Sequence, residues 1–375
     1  MQVTLFRKSV PVSFSARSAK RLSPSILPLV SAFLFTFTAV LSQAQHNTTA
    51  PDYTSIVVFG DSLSDTGNVA HLTQTKYGFR LPGPEFDYTD GRFTDGADTL
   101  PPAENYWGVW IEQLAASLPA KPAVKNSLNG GTDYAYGFAF TGTGTSVLAF
   151  GPSNAYTVNV NNIGLQIKQY LATHPKITNK TLFVVWGGAN DILNATSEEQ
   201  IIDAGINQAL NIQALINAGA TQFLIPNLPP LGAIPRLNGS PAEAAAATQA
   251  SEIYNQILAL TVTFLQELNS GNNLQLVQLD VFKLFDQIIA SPAKFDLVDV
   301  TDSSQGIDVN PDTFLFWDGL HPTTHGHNIL ATTAEKLLSS AGGATSTRPA
   351  HEADLTALRT KVFTKLATEH VLVVH

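Results

Sequence analysis

Residues 55–68 read S-I-V-V-F-G-D-S-L-S-D-T-G-N. Ile56, Val57, Val58 and Phe59 form a short β-branched and aromatic run that stops at Gly60, and a polar segment carrying Gly67 and Asn68 follows. An apolar run bounded by turn residues is the pattern of a strand buried on both faces in a parallel sheet, ending in a turn that opens a helix. Ser62 then lies just past the carboxyl end of a central strand, where open α/β sheets bind ligands. Two roles fit a serine at that place. Its hydroxyl can face a reacting ligand, or it can cap the next helix, since Ser and Asp are favoured N-caps.

Working outward, the same alternation recurs. Strands are expected at residues 181–186, 222–226 and 274–279, and helices at 105–118, 160–171, 197–218, 241–269, 281–290 and 325–339. This order predicts a parallel sheet with helices on both faces. With no internal repeat and no second core-sized pattern, residues 45–340 read as one α/β domain. Trp107 and Trp110 share a helical stripe with Ile111, Leu114 and Leu118 and are expected in the core. Residues 73–102, rich in Gly, Pro, Asp and aromatics, form a loop of a length that is usually functional. Its Phe86, Tyr88 and Phe93 are expected to form a substrate-facing rim. Tyr134, Tyr136 and Phe138 alternate as in a strand that Gly137 interrupts, as at a bulge or a close backbone approach. Residues 142–159 and 299–317 read as loops.

The 375 residues include no cysteine, which excludes disulfides and thiol catalysis and leaves stability to a large core. Residues 1–44 have a basic, acid-free head (Arg7, Lys8, Arg17, Lys20, Arg21), an apolar run over 26–41 and a small-x-small site at Ser42-Gln43-Ala44. That is the pattern of a secretory signal peptide, with an uncleaved anchor as the alternative. Its removal takes five cations and no anions, moving the formal charge from −9 to −14. A chain so acidic offers no footprint for nucleic acid or an anionic membrane surface. Sequons at Asn47, Asn179, Asn194 and Asn238 fit N-glycans on a secreted, extracellular protein. The tail, 341–375, is set off by G-G-A-T-S-T-R-P and has no assigned role.

The chemistry concentrates at W-D-G-L-H-P-T-T-H-G-H, residues 317–327. A carboxylate three residues before a histidine, across a glycine, can accept Nδ1–H of that imidazole and leave Nε2 free as a base. Asp318 and His321 have this spacing, and Ser62 is the serine such a base would activate. The competing reading is a turn at Asp318-Gly319 with His321 packed or capping. Metal binding by His321, His325 and His327 is disfavoured, because Pro322 interrupts a helix through them and no Glu or Cys completes a set. No cofactor is implied. Donors for an oxyanion are sought at the strand ends: the backbone N–H groups of Ser62 and Gly137, and the side-chain amide of Asn190. Asn190 follows Gly187-Gly188 and could instead cap the next helix.

Four segments, Gly60-Asp61-Ser62-Leu63, Gly137, Gly188-Ala189-Asn190-Asp191 and Asp318-Gly319-Leu320-His321-Pro322, stand in the order of the four blocks of the GDSL, or SGNH, hydrolases. The chain resembles that family over roughly residues 55–338. The resemblance implies a flavodoxin-like three-layer α/β/α sandwich with a mainly parallel sheet. It also implies Ser62 as nucleophile, His321 as base, Asp318 as its orienting acid, and Gly137 and Asn190 completing the oxyanion hole. F-G-D-S-L-S-D-T-G-N, G-R-F-T-D-G at 91–96 and N-L-P-P-L-G at 227–232 are similar to secreted fungal acetylesterases of carbohydrate esterase family 16. The expectation is therefore a secreted serine esterase acting on acetylated xylo-oligosaccharides. The alternatives are a lipase or phospholipase on longer acyl esters and, from another class, a non-catalytic carbohydrate-binding module. The sequence departs from the family where Gly137-Phe138-Ala139 replaces Gly-Gly-Ala, where Asp95 replaces the commoner Asn, and in the added His325.

Overall fold

The computed structural model describes residues 53–340 apart from 178, 179 and 272, together with Thr360 and Thr364. The expected signal segment, most of the tail, and the sequons at Asn47 and Asn179 lie outside the described residues.

Residues 56–59 are the centre of strand β1 (Ser55–Gly60), which leads through a polar turn into helix α1 (Asn68–Tyr77). Then come α2 (Trp110–Ser117), the strands β2 (Thr145–Phe150) and β3 (Tyr156–Asn161), and α3 (Ile163–Thr173). Next are β4 (Thr181–Trp186), α4 (Ala189–Asn194), α5 (Glu198–Asn217), β5 (Gln222–Pro226), α6 (Pro235–Asn238) and α7 (Pro241–Leu268). β6 (Gln275–Leu279), α8 (Val281–Ala290), β7 (Asp299–Ser303), β8 (Phe314–Phe316) and α9 (Thr324–Ser340) complete the order.

The central sheet is parallel, in the order β1-β4-β5-β6, with Ser55 opposite Thr181 and Gly60 opposite Trp186. All six residues of β4 are buried, as a strand covered by helices on both faces requires. On one face Trp110, Leu284 and Leu330, from α2, α8 and α9, pack on the strands. On the other, Ile167, Ile212 and Tyr254 do so from α3, α5 and α7. These are the three layers expected.

On the free side of β1, residues 132–136 run alongside it. Tyr134 N–H donates to the Val58 carbonyl (2.8 Å) and Tyr136 N–H to that of Gly60 (3.2 Å). Only a single bridge, Val58 to Asp133, is formed. Here Asp133 turns its carboxylate onto the Ala135 N–H (2.9 Å), a local bond that competes with a regular ladder. The chain thus lies on one side of β1 immediately before the hairpin and returns to the other side at β4. That makes the carboxyl end of β1 a topological switch point, the place where such sheets bind ligands.

Three sequence expectations need correction. Residues 142–159 are not a loop: β2 and β3 pair antiparallel, Thr145 with Asn161 through Phe150 with Tyr156. Val158 and Val160 point inward between exposed or half-buried neighbours, a period-2 signal overshadowed by the flanking Gly, Pro and Asn. Residues 299–317 likewise hold the short parallel pair β7–β8. Trp107 is 58% exposed, whereas Trp110 is fully buried. The helix begins only at Trp110, after Gly108 at φ 69 has turned the chain, so Trp107 never joins the stripe.

Candidate active site

The turn after β1 puts Ser62 at the sheet edge, and the helix-cap role falls to another residue. Both carboxylate oxygens of Asp65 accept the first N–H groups of α1, from Gly67 (2.8 Å), Asn68 (2.6 Å) and Val69 (3.2 Å). Ser64 Oγ accepts Trp110 Nε1–H at 3.0 Å, tying the turn to α2. Ser62 Oγ is left 2.9 Å from Nε2 of His321.

The histidine comes from the loop between β8 and α9, and Asp318 shapes that loop. One carboxylate oxygen accepts the backbone N–H groups of Leu320 (2.7 Å) and His321 (2.6 Å); the other lies 2.7 Å from His321 Nδ1. Trp317 N–H donates to the His321 carbonyl (2.8 Å) and closes the turn. Burial acts to push the Asp318 carboxyl up, but the facing imidazole and the converging donors outweigh it and hold it at about 2. Asp318 is therefore a carboxylate, able to fix the ring with its proton on Nδ1 and Nε2 toward the serine.

Loop 73–102 supports this pair from behind. Thr94 Oγ1 donates to the Pro322 carbonyl (2.9 Å), and Asp95 accepts both the N–H and the hydroxyl of Thr324, capping α9 where it leaves the histidine loop. The Phe93 ring stacks on His321 at 5.2 Å between centroids, and Tyr88 donates its hydroxyl to Asp318 Oδ2 at 2.7 Å. Tyr88 and Phe93 are buried. The expected aromatic rim is corrected accordingly: two of its three members face the histidine and its carboxylate, and Phe86 packs with Phe79 at 5.6 Å. For Phe93 the signal was G-R-F-T-D-G at 91–96, whose spacing to the histidine loop is invisible without the fold; Tyr88 lies outside that motif.

Gly137 also needs a correction. Its N–H donates to Asp65 Oδ2 at 2.9 Å, so it is not spent on a ligand at Ser62. A Cβ at this position would lie 2.4 Å from the Phe93 ring, a distance real atoms do not tolerate. The glycine makes room for the ring that packs on His321. Phe138, where the resemblance leads to a second glycine, sits at φ 67, a left-handed conformation that disfavours a bulky side chain.

Asn190 is the second residue of α4, whose N-cap is Gly188, so it does not cap. Gly188 is at φ 111, and a Cβ there would meet the Tyr254 ring and hydroxyl at 2.5–2.7 Å. Asn190 Nδ2 donates one hydrogen to the Ala139 carbonyl (3.0 Å); an amide nitrogen has a second to give. Asn190, Ser62, His321 and Asp61 line one narrow cavity of about 30 Å³, walled mainly by Leu63, Leu193, Pro229, Ile234, Phe285 and Leu320. Burial pushes the Asp61 carboxyl up to about 7, against the opposing pull of the Leu63 N–H and His321. His325, the added histidine, stacks on Tyr106 at 4.3 Å and pairs Nδ1 with the Asp312 carbonyl. Among the described residues no three His, Cys, Asp or Glu side chains are grouped to hold a metal ion.

The profile of the GDSL-like lipase/acylhydrolase family matches residues 56–333. The chain is 28% identical over 260 residues to the phosphatidylcholine-sterol acyltransferase of Aeromonas hydrophila, covering 68% of this chain and 67% of the other. It is 26% identical over 333 residues to a GDSL esterase/lipase of Arabidopsis thaliana, covering 79% and 89%. Among solved structures, Est24, a carbohydrate acetylesterase from Sinorhizobium meliloti, aligns at 15% identity and a TM-score of 0.38 over 76% of this chain and 97% of that one.

Proposed function

We propose that this chain, which belongs to the GDSL-like lipase/acylhydrolase family, is an esterase that cleaves carboxylic esters through an acyl-enzyme on Ser62. The observation that carries the reading is the continuous chain of contacts from Ser62 Oγ to His321 Nε2 (2.9 Å) and from His321 Nδ1 to Asp318 Oδ2 (2.7 Å). In the proposed reaction Ser62 Oγ attacks the ester carbonyl and its proton passes to His321 Nε2. Asp318 holds the resulting imidazolium. The carbonyl oxygen takes up the negative charge facing the Ser62 N–H and the remaining N–H of Asn190. Collapse expels the alcohol, which takes the proton from His321. A water molecule then repeats the sequence on the acyl-Ser62 and regenerates the serine.

The acyl group occupies the apolar cavity. Its small volume, about 30 Å³, favours a short acyl group such as acetyl. The acidic composition favours a neutral alcohol such as an acetylated xylo-oligosaccharide over an anionic headgroup. The expected setting is extracellular, on the strength of the basic and apolar head of residues 1–44. A second reading, a lipase on longer acyl chains, is favoured by the hydrophobic wall from Leu63 to Phe285.

Initial rates on p-nitrophenyl esters from acetate to palmitate, beside acetylated xylo-oligosaccharides, separate the two. The acetyl reading expects kcat/KM to fall by roughly tenfold or more beyond butyrate, since forcing methylenes into a filled apolar site costs about 1–3 kcal/mol. It also expects acetate release from the sugar. A maximum at octanoate or beyond would replace it with the lipase reading.

A further inference from the structure

Tyr88 is 3% exposed although it lies in the loop nearest the reacting groups. Its hydroxyl meets the same oxygen of Asp318 that holds the His321 ring, at 2.7 Å from each partner. We propose that Tyr88 is a positioning residue that sets how strongly Asp318 holds His321, a further link behind Ser62, His321 and Asp318; the inference rests on the roles proposed for those three.

The geometry leaves the hydroxyl little choice of partner. Asp318 Oδ1 is committed to the Leu320 and His321 N–H groups, so Oδ2 alone answers to the ring, and it divides its lone pairs between Nδ1–H and the Tyr88 O–H. The tyrosine is itself locked in place. Its N–H donates to the Gly83 carbonyl (3.2 Å), and the adjoining Asp87 carbonyl accepts Trp317 Nε1–H (3.0 Å) and Gln305 Nε2–H (3.0 Å). The Tyr88 ring meets the Phe93 ring edge-on at 6.1 Å, and Phe93 stacks on His321. Both faces of the histidine's support thus come from one segment, residues 88–93. Burial, then the neighbouring carboxylate, raises the phenol well above its ordinary value, so it stays a donor throughout the working pH range.

A donor on Oδ2 draws charge away from Nδ1–H and makes the imidazolium less strongly paired. Removing it should tighten the hold on the protonated ring and leave the carboxylate freer to swing. The other titratable or charged groups facing this chain are Asp61 and His327 toward His321, the latter kept neutral by burial, Arg236 toward Asp318, and Asp87 toward Tyr88. All are retained in Tyr88→Phe.

The test is the pH profile of kcat/KM for p-nitrophenyl acetate with wild type and Tyr88→Phe. The expected result is an acidic limb moved upward by about half to one pH unit and a kcat lowered about tenfold at the optimum, with KM within about twofold. Site-specific 3,5-difluorotyrosine at position 88, a stronger donor that keeps the ring, should move the limb the other way and stays informative if the Phe variant fails to fold. An unmoved limb in both variants, whether or not kcat falls, would mean that the hydroxyl only fills space and would overturn the inference. Failure of the underlying reading looks different: wild-type rates would then survive Ser62→Ala.

Discussion

Ser62→Ala is expected to lower kcat for p-nitrophenyl acetate by about 10⁴–10⁶-fold without changing the circular dichroism or the thermal midpoint. The size follows from what the hydroxyl does. Without Oγ there is no acyl-enzyme, and the cavity can offer only binding and the donors around the carbonyl oxygen, which together retain a small residual rate. The fold should tolerate the change. Ser62 does not cap α1, since Asp65 takes that role with three N–H acceptor bonds, and Ser64 carries the tie to Trp110. Rates within tenfold of wild type in a folded Ser62→Ala protein would sink the nucleophile assignment.

Asp318→Asn is the second large effect, a fall in kcat of about 10⁴-fold, or about 5 kcal/mol of barrier. An amide at this position presents an N–H to Nδ1 instead of accepting one, so the ring takes the wrong tautomer and Nε2 no longer accepts the Ser62 proton. KM should change little, because the side chain does not line the cavity. The same substitution has a stability signature. The folded Asp318 carboxyl is depressed to about 2 from the ordinary 3.8 of an aspartate, so its contribution is present above about pH 4 and is lost as pH falls through about 2. The implied difference is about 2 kcal/mol. Melting temperatures of variant and wild type should therefore differ most near neutrality and converge toward pH 2. A constant gap across that range would show that the loss comes from packing rather than from the charge.

What could be read without coordinates followed periodicity. The runs at 56–59, 181–186 and 222–226 are short, apolar and bounded by turn residues, and each became a buried parallel strand. Asp318 and His321 were legible because their three-residue spacing closes a local turn, and Ser62 because it ends a strand. Failures arose where a role depends on contacts across the fold. Tyr88 bonds Asp318 across 230 residues of chain, and nothing in the loop sequence distinguishes it from a substrate-facing aromatic. Gly137 illustrates the same limit. Its value lies in the space it leaves for Phe93, and its N–H is claimed by Asp65, 72 residues away. Trp107 failed for a local reason: a stripe drawn through 105–118 ignores that Gly108 delays the helix to Trp110.

The most direct measurement of the central claim is covalent labelling of the intact protein with diisopropyl fluorophosphate, followed by peptide mapping by mass spectrometry. Only a serine whose proton is taken by a neighbouring base reacts rapidly with such a reagent. The account predicts one adduct per chain, on the peptide carrying Ser62, formed in step with loss of esterase activity and absent in Ser62→Ala. An adduct on a different serine, or full esterase activity after complete modification of Ser62, would contradict it.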